Sequence, residues 1–172
     1  MVRAEDIRPS SAGVWAICSG NAAMRAAFPD APEDADTEVC EDGIACHWLA
    51  KEIWDGRQHA EDTLSPNQRV ITEEMFDAVD MYHDLLRSWK NVVPVLEVTI
   101  AIDRILRGMR GTPDAWAYDP DKKTLYIADL KFGRGVVEVD RNSQLLTYLF
   151  GAVQLFSMGV FLFSALAFVS IG

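Results

Sequence analysis

Between Pro66 and Lys90 the apolar residues Val70, Met75, Phe76, Val79, Leu85, Leu86 and Trp89 recur at helical spacing, which predicts a helix with a stripe turned to the core. Ser65-Pro66 is its expected start, closing a loop over Asp62 to Asn67. A shorter helix is predicted from Gly43 to Asp55, after an acidic, Pro- and Ala-rich loop over residues 29–42. From Val95 to Ile102 the pattern changes to alternation, the signature of a strand. Two runs of β-forming residues follow, Thr112 to Tyr118 and Thr124 to Lys131. The turn residues Asp119-Pro120-Asp121-Lys122-Lys123 between them predict a hairpin. The order helix, helix, three strands, helix, last strand implies an α/β fold whose mixed central sheet is flanked by helices.

The C-terminal run has three readings. After Arg141 no charged residue occurs in the last 31 positions. Ser143 to Met158 reads as an amphipathic core helix, with Val160 to Val169 as a buried strand. Alternatively, Phe150 to Ile171 is long and apolar enough for a membrane-spanning helix. Gly151, Gly159, Gln154, Ser157 and Ser164 interrupt such a helix, and no Lys or Arg anchors its far end. The third reading is a shortened or frame-shifted domain with a non-native apolar tail at 159–172. With 172 residues and no internal repeat, a single domain is expected, with 1–42 as an N-terminal segment and 43–158 as the core.

Candidate chemistry gathers on the hairpin. Residues two apart in a strand share a face, so Asp129 and Lys131 point together and Leu130 points away. Antiparallel pairing can bring Asp114 opposite the end where Asp129 lies. Two converging carboxylates suit Mg²⁺ or Mn²⁺, hard cations that prefer oxygen ligands. Lys131 beside them could activate water or stabilise charge developing on a phosphate. Gln144 and Tyr148, four apart, would share one helix face. Taken singly, Asp-x-Lys at a strand end is commonly a solvated ion pair, and a helix histidine such as His47 is commonly a core residue.

Taken in order, the elements resemble the PD-(D/E)XK nuclease superfamily and, within it, the RecB-like exonuclease branch with its phage-encoded members. Pro113-Asp114 with Asp129-Leu130-Lys131 matches the superfamily signature, and Gln144 to Tyr148 matches the Gln-x-x-x-Tyr helix motif. Gly43 to His47 matches the Gly-x-x-x-His element, and Ser10-Ser11 with Trp15 and Cys18 resembles the N-terminal segment of phage-type relatives. The resemblance spans roughly residues 8–156. It implies a restriction-endonuclease-like core in which His47, Asp114, Asp129 and the Leu130 carbonyl bind Mg²⁺ or Mn²⁺. It also implies that Lys131 is the catalytic lysine, with Gln144 and Tyr148 beside it. Glu97 is either a supporting acid or a solvent-facing strand residue.

Charge opposes this reading in sum and favours it locally. The net charge is −10 with pI near 4.7, unfavourable for binding a polyanion. Around the site, however, lie Arg104, Arg107, Arg110, Lys122, Lys123, Lys131, Arg134 and Arg141. Cys18, Cys40 and Cys46 are too few for the iron–sulfur cluster some branch members carry, so none is expected, and Cys18 is either an orphan ligand left from such a cluster or, the preferred reading, a buried small hydrophobe. Trp116 and Phe132 could stack on bases or be core. Without a signal peptide, a reducing cytoplasm is expected, in the bacterial host for a phage protein. The functional expectation is a metal-dependent deoxyribonuclease, an exonuclease working on DNA with phage or bacterial recombination proteins. The alternatives are a silent nuclease-fold module that binds DNA or protein and, more weakly, a membrane-tethered protein.

Overall fold

The computed structural model describes residues 7–18, 20–28, 37–133 and 140–155, together with the backbone of 162–171. A 3-10 turn (Pro9–Ser11) leads into two short helices, α1 (Ala12–Trp15) and α2 (Asn21–Ala27). Two longer helices follow, α3 (Thr37–Trp54) and α4 (Glu73–Ser88). Six strands complete the fold with one more helix: β1 (Val95–Leu96), β2 (Ile100–Ala101), β3 (Arg110–Gly111), β4 (Ala115–Asp119), β5 (Thr124–Phe132), α5 (Ser143–Leu155) and β6 (Leu162–Ile171).

Both N-terminal helix boundaries differ from expectation, for physical reasons. Helix α4 starts seven residues beyond Pro66, where the Thr72 side chain accepts a hydrogen bond from the Met75 amide at 3.3 Å. Glu73 and Glu74 then sit in the first turn, where the helix dipole favours them. Pro66 lies instead in a tight turn, closed by an antiparallel bridge between Leu64 and Val70 and by Ser65, whose amide donates to the Arg69 carbonyl at 2.9 Å. Val70 is therefore exposed and off the helix, while Met75, Val79, Leu86 and Trp89 are buried as the stripe requires.

Helix α3 begins at Thr37 rather than Gly43, so the N-terminal boundary at residue 42 falls inside it. Its acidic residues are held from across the chain. Arg69 Nε donates to Asp42 at 2.6 Å, and Asn67 Nδ2 donates to Glu41 Oε2 at 2.6 Å. The rest of the expected loop, residues 29–36, lies outside the described residues.

The main sheet has the order β1-β4-β5-β6, antiparallel between β1, β4 and β5 and parallel between β5 and β6. It is mixed, as expected. The β4–β5 turn forms because Asp119 Oδ1 accepts the amides of Asp121 and Lys122 at 3.0 Å each. On one face Ala115, Ala117, Ala128 and Leu130 pack with α3 and α4, and on the other Leu125 and Ile127 pack with α5. The alanines let the helices approach closely, and each buried Leu, Ile or Met above them contributes roughly 1.5–3 kcal/mol.

The C-terminal apolar run divides between α5, up to Leu155, and strand β6, which pairs from Leu162 opposite Thr124 to Ile171 opposite Phe132. No helix among the described residues is long and apolar enough to cross a membrane. The expected last turn of α5, to Met158, lies outside the described residues.

The expected strand Val95–Ile102 is interrupted. Its two ends pair with the same partner segment: Leu96 opposes Ala115 and Ile100 opposes Gly111, an unchanged register. Between them Glu97 takes a left-handed φ of 55°, and Pro113 can donate nothing to the ladder. The hydroxyls of Thr99 and Thr112 meet at 2.8 Å and close the gap from the far side.

Candidate metal centre

The break in that ladder is where the site forms. Register places Glu97 opposite Asp114, and the Glu97 amide donates to the Asp114 carbonyl at 3.1 Å. Asp114 is buried, its Oδ2 accepting the Leu130 amide from the neighbouring strand. Helix α3, packed through Cys46, Leu49 and Ala50, carries His47 to the same point. The His47 Nδ1 lies 3.3 Å from Asp114 Oδ1 and 3.8 Å from Glu97 Oε1. One donor atom from each of His47, Glu97 and Asp114 lies within 4.8 Å of the other two.

Asp129 and Lys131 share a face at the end of β5, as alternation predicts. Lys131 Nζ is 2.5 Å from Asp129 Oδ2, and Gln144 Nε2 donates to Asp129 Oδ1 at 2.9 Å. The same amide donates to the Tyr148 hydroxyl at 3.3 Å, so the pair does share one helix face. Asn142, immediately before α5, accepts the amides of Gln144 and Leu145 at 3.0 and 3.2 Å and so sets where Gln144 points. Sequence reading missed that cap, although Asn before a helix is its usual signal.

Burial divides the site into a floor and a mouth. Asp114 and Asp129 are 8% and 1% exposed, whereas the side chains of His47, Glu97 and Lys131 are each about a third exposed. Burial alone would lower the His47 pKa, but hydrogen bonds and charge from Asp114, then Glu97, raise it to about 10. Burial, then the charge of Asp114, raises Asp129 to about 6 despite the opposing pull of Lys131. Burial and the nearby acids also raise Tyr148.

Compared with expectation, Glu97 joins His47 and Asp114 rather than facing solvent alone. Asp129 lies outside that three-residue group and is engaged by Lys131 and Gln144. The backbone of Leu130 touches the site through its amide, on Asp114. Tyr82 was not foreseen: it is buried under the sheet among α3 and α4, its hydroxyl has no hydrogen-bond partner among the described residues, and Asp114, Glu97 and Asp129 all add to the rise that burial gives its pKa. It continues the stripe through Val79 and Leu86, which was its available signal.

Trp116 and Phe132 are half-buried, each packed on a core cluster. Cys18, expected to be buried, is exposed, because it follows the short α1 in the turn before α2. Cys46 is buried, and its thiol is pushed up to about 12 by burial and then by Asp114. Arg134 lies outside the described residues.

Two carboxylates and one imidazole suit a divalent cation that takes oxygen and nitrogen ligands, and the exposed mouth leaves positions for water. The fold and site together define a mixed α/β protein with a histidine–acid centre at a break in its central sheet. The chain belongs to the family described as "Protein of unknown function (DUF2800)", whose model matches residues 6–164. No solved structure matches it.

Proposed function

We propose that this protein is a metal-dependent nuclease of PD-(D/E)XK type, with a restriction-endonuclease-like core, that hydrolyses phosphodiester bonds in DNA. The observation that carries the reading is the meeting, at one ladder break, of His47, Glu97 and Asp114 with the adjacent Asp129–Lys131 pair. His47, Glu97 and Asp114 would hold Mg²⁺ or Mn²⁺, with Asp129 beside them. The bound ion supplies a water of lowered pKa and positive charge against the phosphate.

The protein's own groups account for the rest. In hydrolysis a water oxygen bonds to phosphorus, the bond to the leaving oxygen breaks, and that oxygen takes up a proton. Lys131, at the mouth, offsets negative charge developing on the phosphate. Gln144 keeps one Asp129 oxygen occupied, which leaves the other turned to Lys131. Tyr148 limits the rotation of Gln144 and, being buried, stays neutral.

The test is cleavage of end-labelled linear and closed circular DNA with Mg²⁺, Mn²⁺ or EDTA, alongside Lys131→Ala. Metal-dependent loss of linear DNA that falls by about 10²–10³ in the variant is expected. Intact DNA with folded protein that binds Mn²⁺ would refute the reading.

A further inference from the structure

The described surface mostly pairs its bases with acids. Lys51 meets Asp55, Arg57 meets Glu52, Arg69 meets Asp42, Arg87 meets Asp84, and Lys122 meets Asp119. The hairpin formed by β2 and β3 is different. Its exposed residues include Arg104, Arg107 and Arg110, and no acidic side chain among the described residues lies within ion-pair distance of any of them. The nearest acid in sequence, Asp103, uses Oδ1 to accept the Gly108 amide at 2.7 Å and so shapes the tip. In a chain of net charge −10, these three arginines form a cationic cluster on one hairpin; Arg8, Lys90 and Lys123 also lack an ion pair among the described residues, but none of them is part of such a group of three.

The hairpin is also a firm platform. Ile102 and Met109 are fully buried against Leu145, Leu149 and Ala152 of α5. The Arg104 amide donates to Gln154 of the same helix at 3.2 Å. Gly151 lets the two elements touch, since a Cβ there would stand 3.0 Å from the Ala101 carbonyl oxygen. The arginines are therefore carried on a backbone docked to the helix that bears Gln144 and Tyr148.

Its two strands run directly out of the site, Glu97 leading into β2 and β3 leading back to Asp114. Arg110 lies four residues from Asp114 and Arg107 seven. An extended chain spans at most about 3.5 Å per residue, which puts their Cα atoms at most roughly 14 and 25 Å from that of Asp114. One turn of duplex is about 34 Å, so the arginines can face phosphates on the same turn as the bond at the metal centre.

We propose that the β2–β3 hairpin is the arm that holds the nucleic-acid backbone, with Arg104, Arg107 and Arg110 neutralising phosphates to one side of the scissile bond. This rests on the nuclease reading above and adds to it the surface that offsets the unfavourable net charge. Ile105, partly exposed between the arginines, gives the tip an apolar contact for sugar or base.

The test is fluorescence anisotropy with labelled duplex and single-stranded oligonucleotides across a salt series, in the full-length Lys131→Ala protein with Mn²⁺ so that substrate stays intact. Adding R104Q/R107Q/R110Q is expected to flatten the slope of log affinity against log salt by about 3 for duplex or 2 for single strand. Its melting temperature should be unchanged, because the three side chains are exposed. R87Q/K90Q, which removes exposed charge from the end of α4, should leave the slope where it was.

An unchanged slope in the triple variant, or an equal loss in R87Q/K90Q, overturns the proposal. If those results came from a protein whose Lys131 form cuts DNA, the hairpin assignment alone would fall. If the protein neither bound nor cut nucleic acid, the nuclease reading would fall with it.

Discussion

Asp129→Asn should make the metal-free protein more stable at alkaline pH and leave it unchanged in acid. Asp129 is almost wholly buried, and burial followed by the charge of Asp114 raises its pKa from 3.8 to about 6. The folded state thus holds the proton more tightly than the unfolded chain does. The stability this contributes is full below about pH 4 and is lost as pH rises through 6. At 1.36 kcal/mol per unit, the ionised carboxylate costs the metal-free fold about 3 kcal/mol at pH 8. Asparagine removes that cost and still offers an oxygen to Gln144, but its amide group faces Lys131, which must swing to solvent. A net gain of about 1–2 kcal/mol remains, or roughly 3–8 °C in melting temperature for a chain of this size. The assay is paired thermal melts of variant and wild type in EDTA at pH 4.5 and 8. The difference between the two cancels titrating groups remote from Asp129; Asp114, Lys131 and His47 act on its charge and are part of the effect measured. A gap that fails to widen with pH, or a variant less stable at pH 8, would mean that ionising Asp129 does not cost the metal-free fold stability. Added Mn²⁺ should then stabilise the wild type more than the variant.

Three further outcomes are expected. Since His47 is raised to about 10, it carries a proton at pH 7, and Mn²⁺ must displace it; calorimetry in buffers of different ionisation enthalpy should show about one proton released per ion, and none in His47→Ala. Glu97→Gly suits the left-handed φ of 55° and should stabilise the fold by about 0.5–1 kcal/mol in thermal melts, while Mn²⁺ affinity drops at least roughly tenfold. Gly111→Ala places a Cβ 2.6 Å from Pro9 Cγ and 2.8 Å from Tyr148 Cε1, so chemical denaturation should show a loss of about 1–3 kcal/mol, with Tyr148 displaced.

Where a residue's neighbours in sequence decide its environment, the sequence was readable. Gln144 and Tyr148 share a helix face because they are four apart, and Asp129 and Lys131 share a strand face because they are two apart. The element order and the mixed sheet follow from the same periodicities. Contacts across the chain were not readable in this way. Pro66 looked like a helix start because the bridge between Leu64 and Val70, which makes it a turn, depends on pairing rather than pattern. The acidic run before Gly43 looked like a loop because its helix is held by Arg69 and Asn67, more than twenty residues away.

The ladder break was hidden for a subtler reason. A bulge adds a residue and throws the alternation out of phase, which sequence can reveal. Here the pairings Leu96–Ala115 and Ile100–Gly111 keep one register, so the alternation from Val95 to Ile102 continues as if the strand were whole. The only local sign is Pro113, which cannot donate to a ladder and stands across from the interrupted segment. The break has a consequence that an intact strand would lack. It releases Glu97 and Asp114, opposite each other, from regular pairing at one level, where His47 of α3 can reach both. A residue held at positive φ without being glycine costs about 1–2 kcal/mol. Asp62, Gln68, Asn91, Lys123 and Arg141 take positive φ as well, but in turns and bends; at Glu97 the same cost falls between two paired strands, where two acids and a histidine meet.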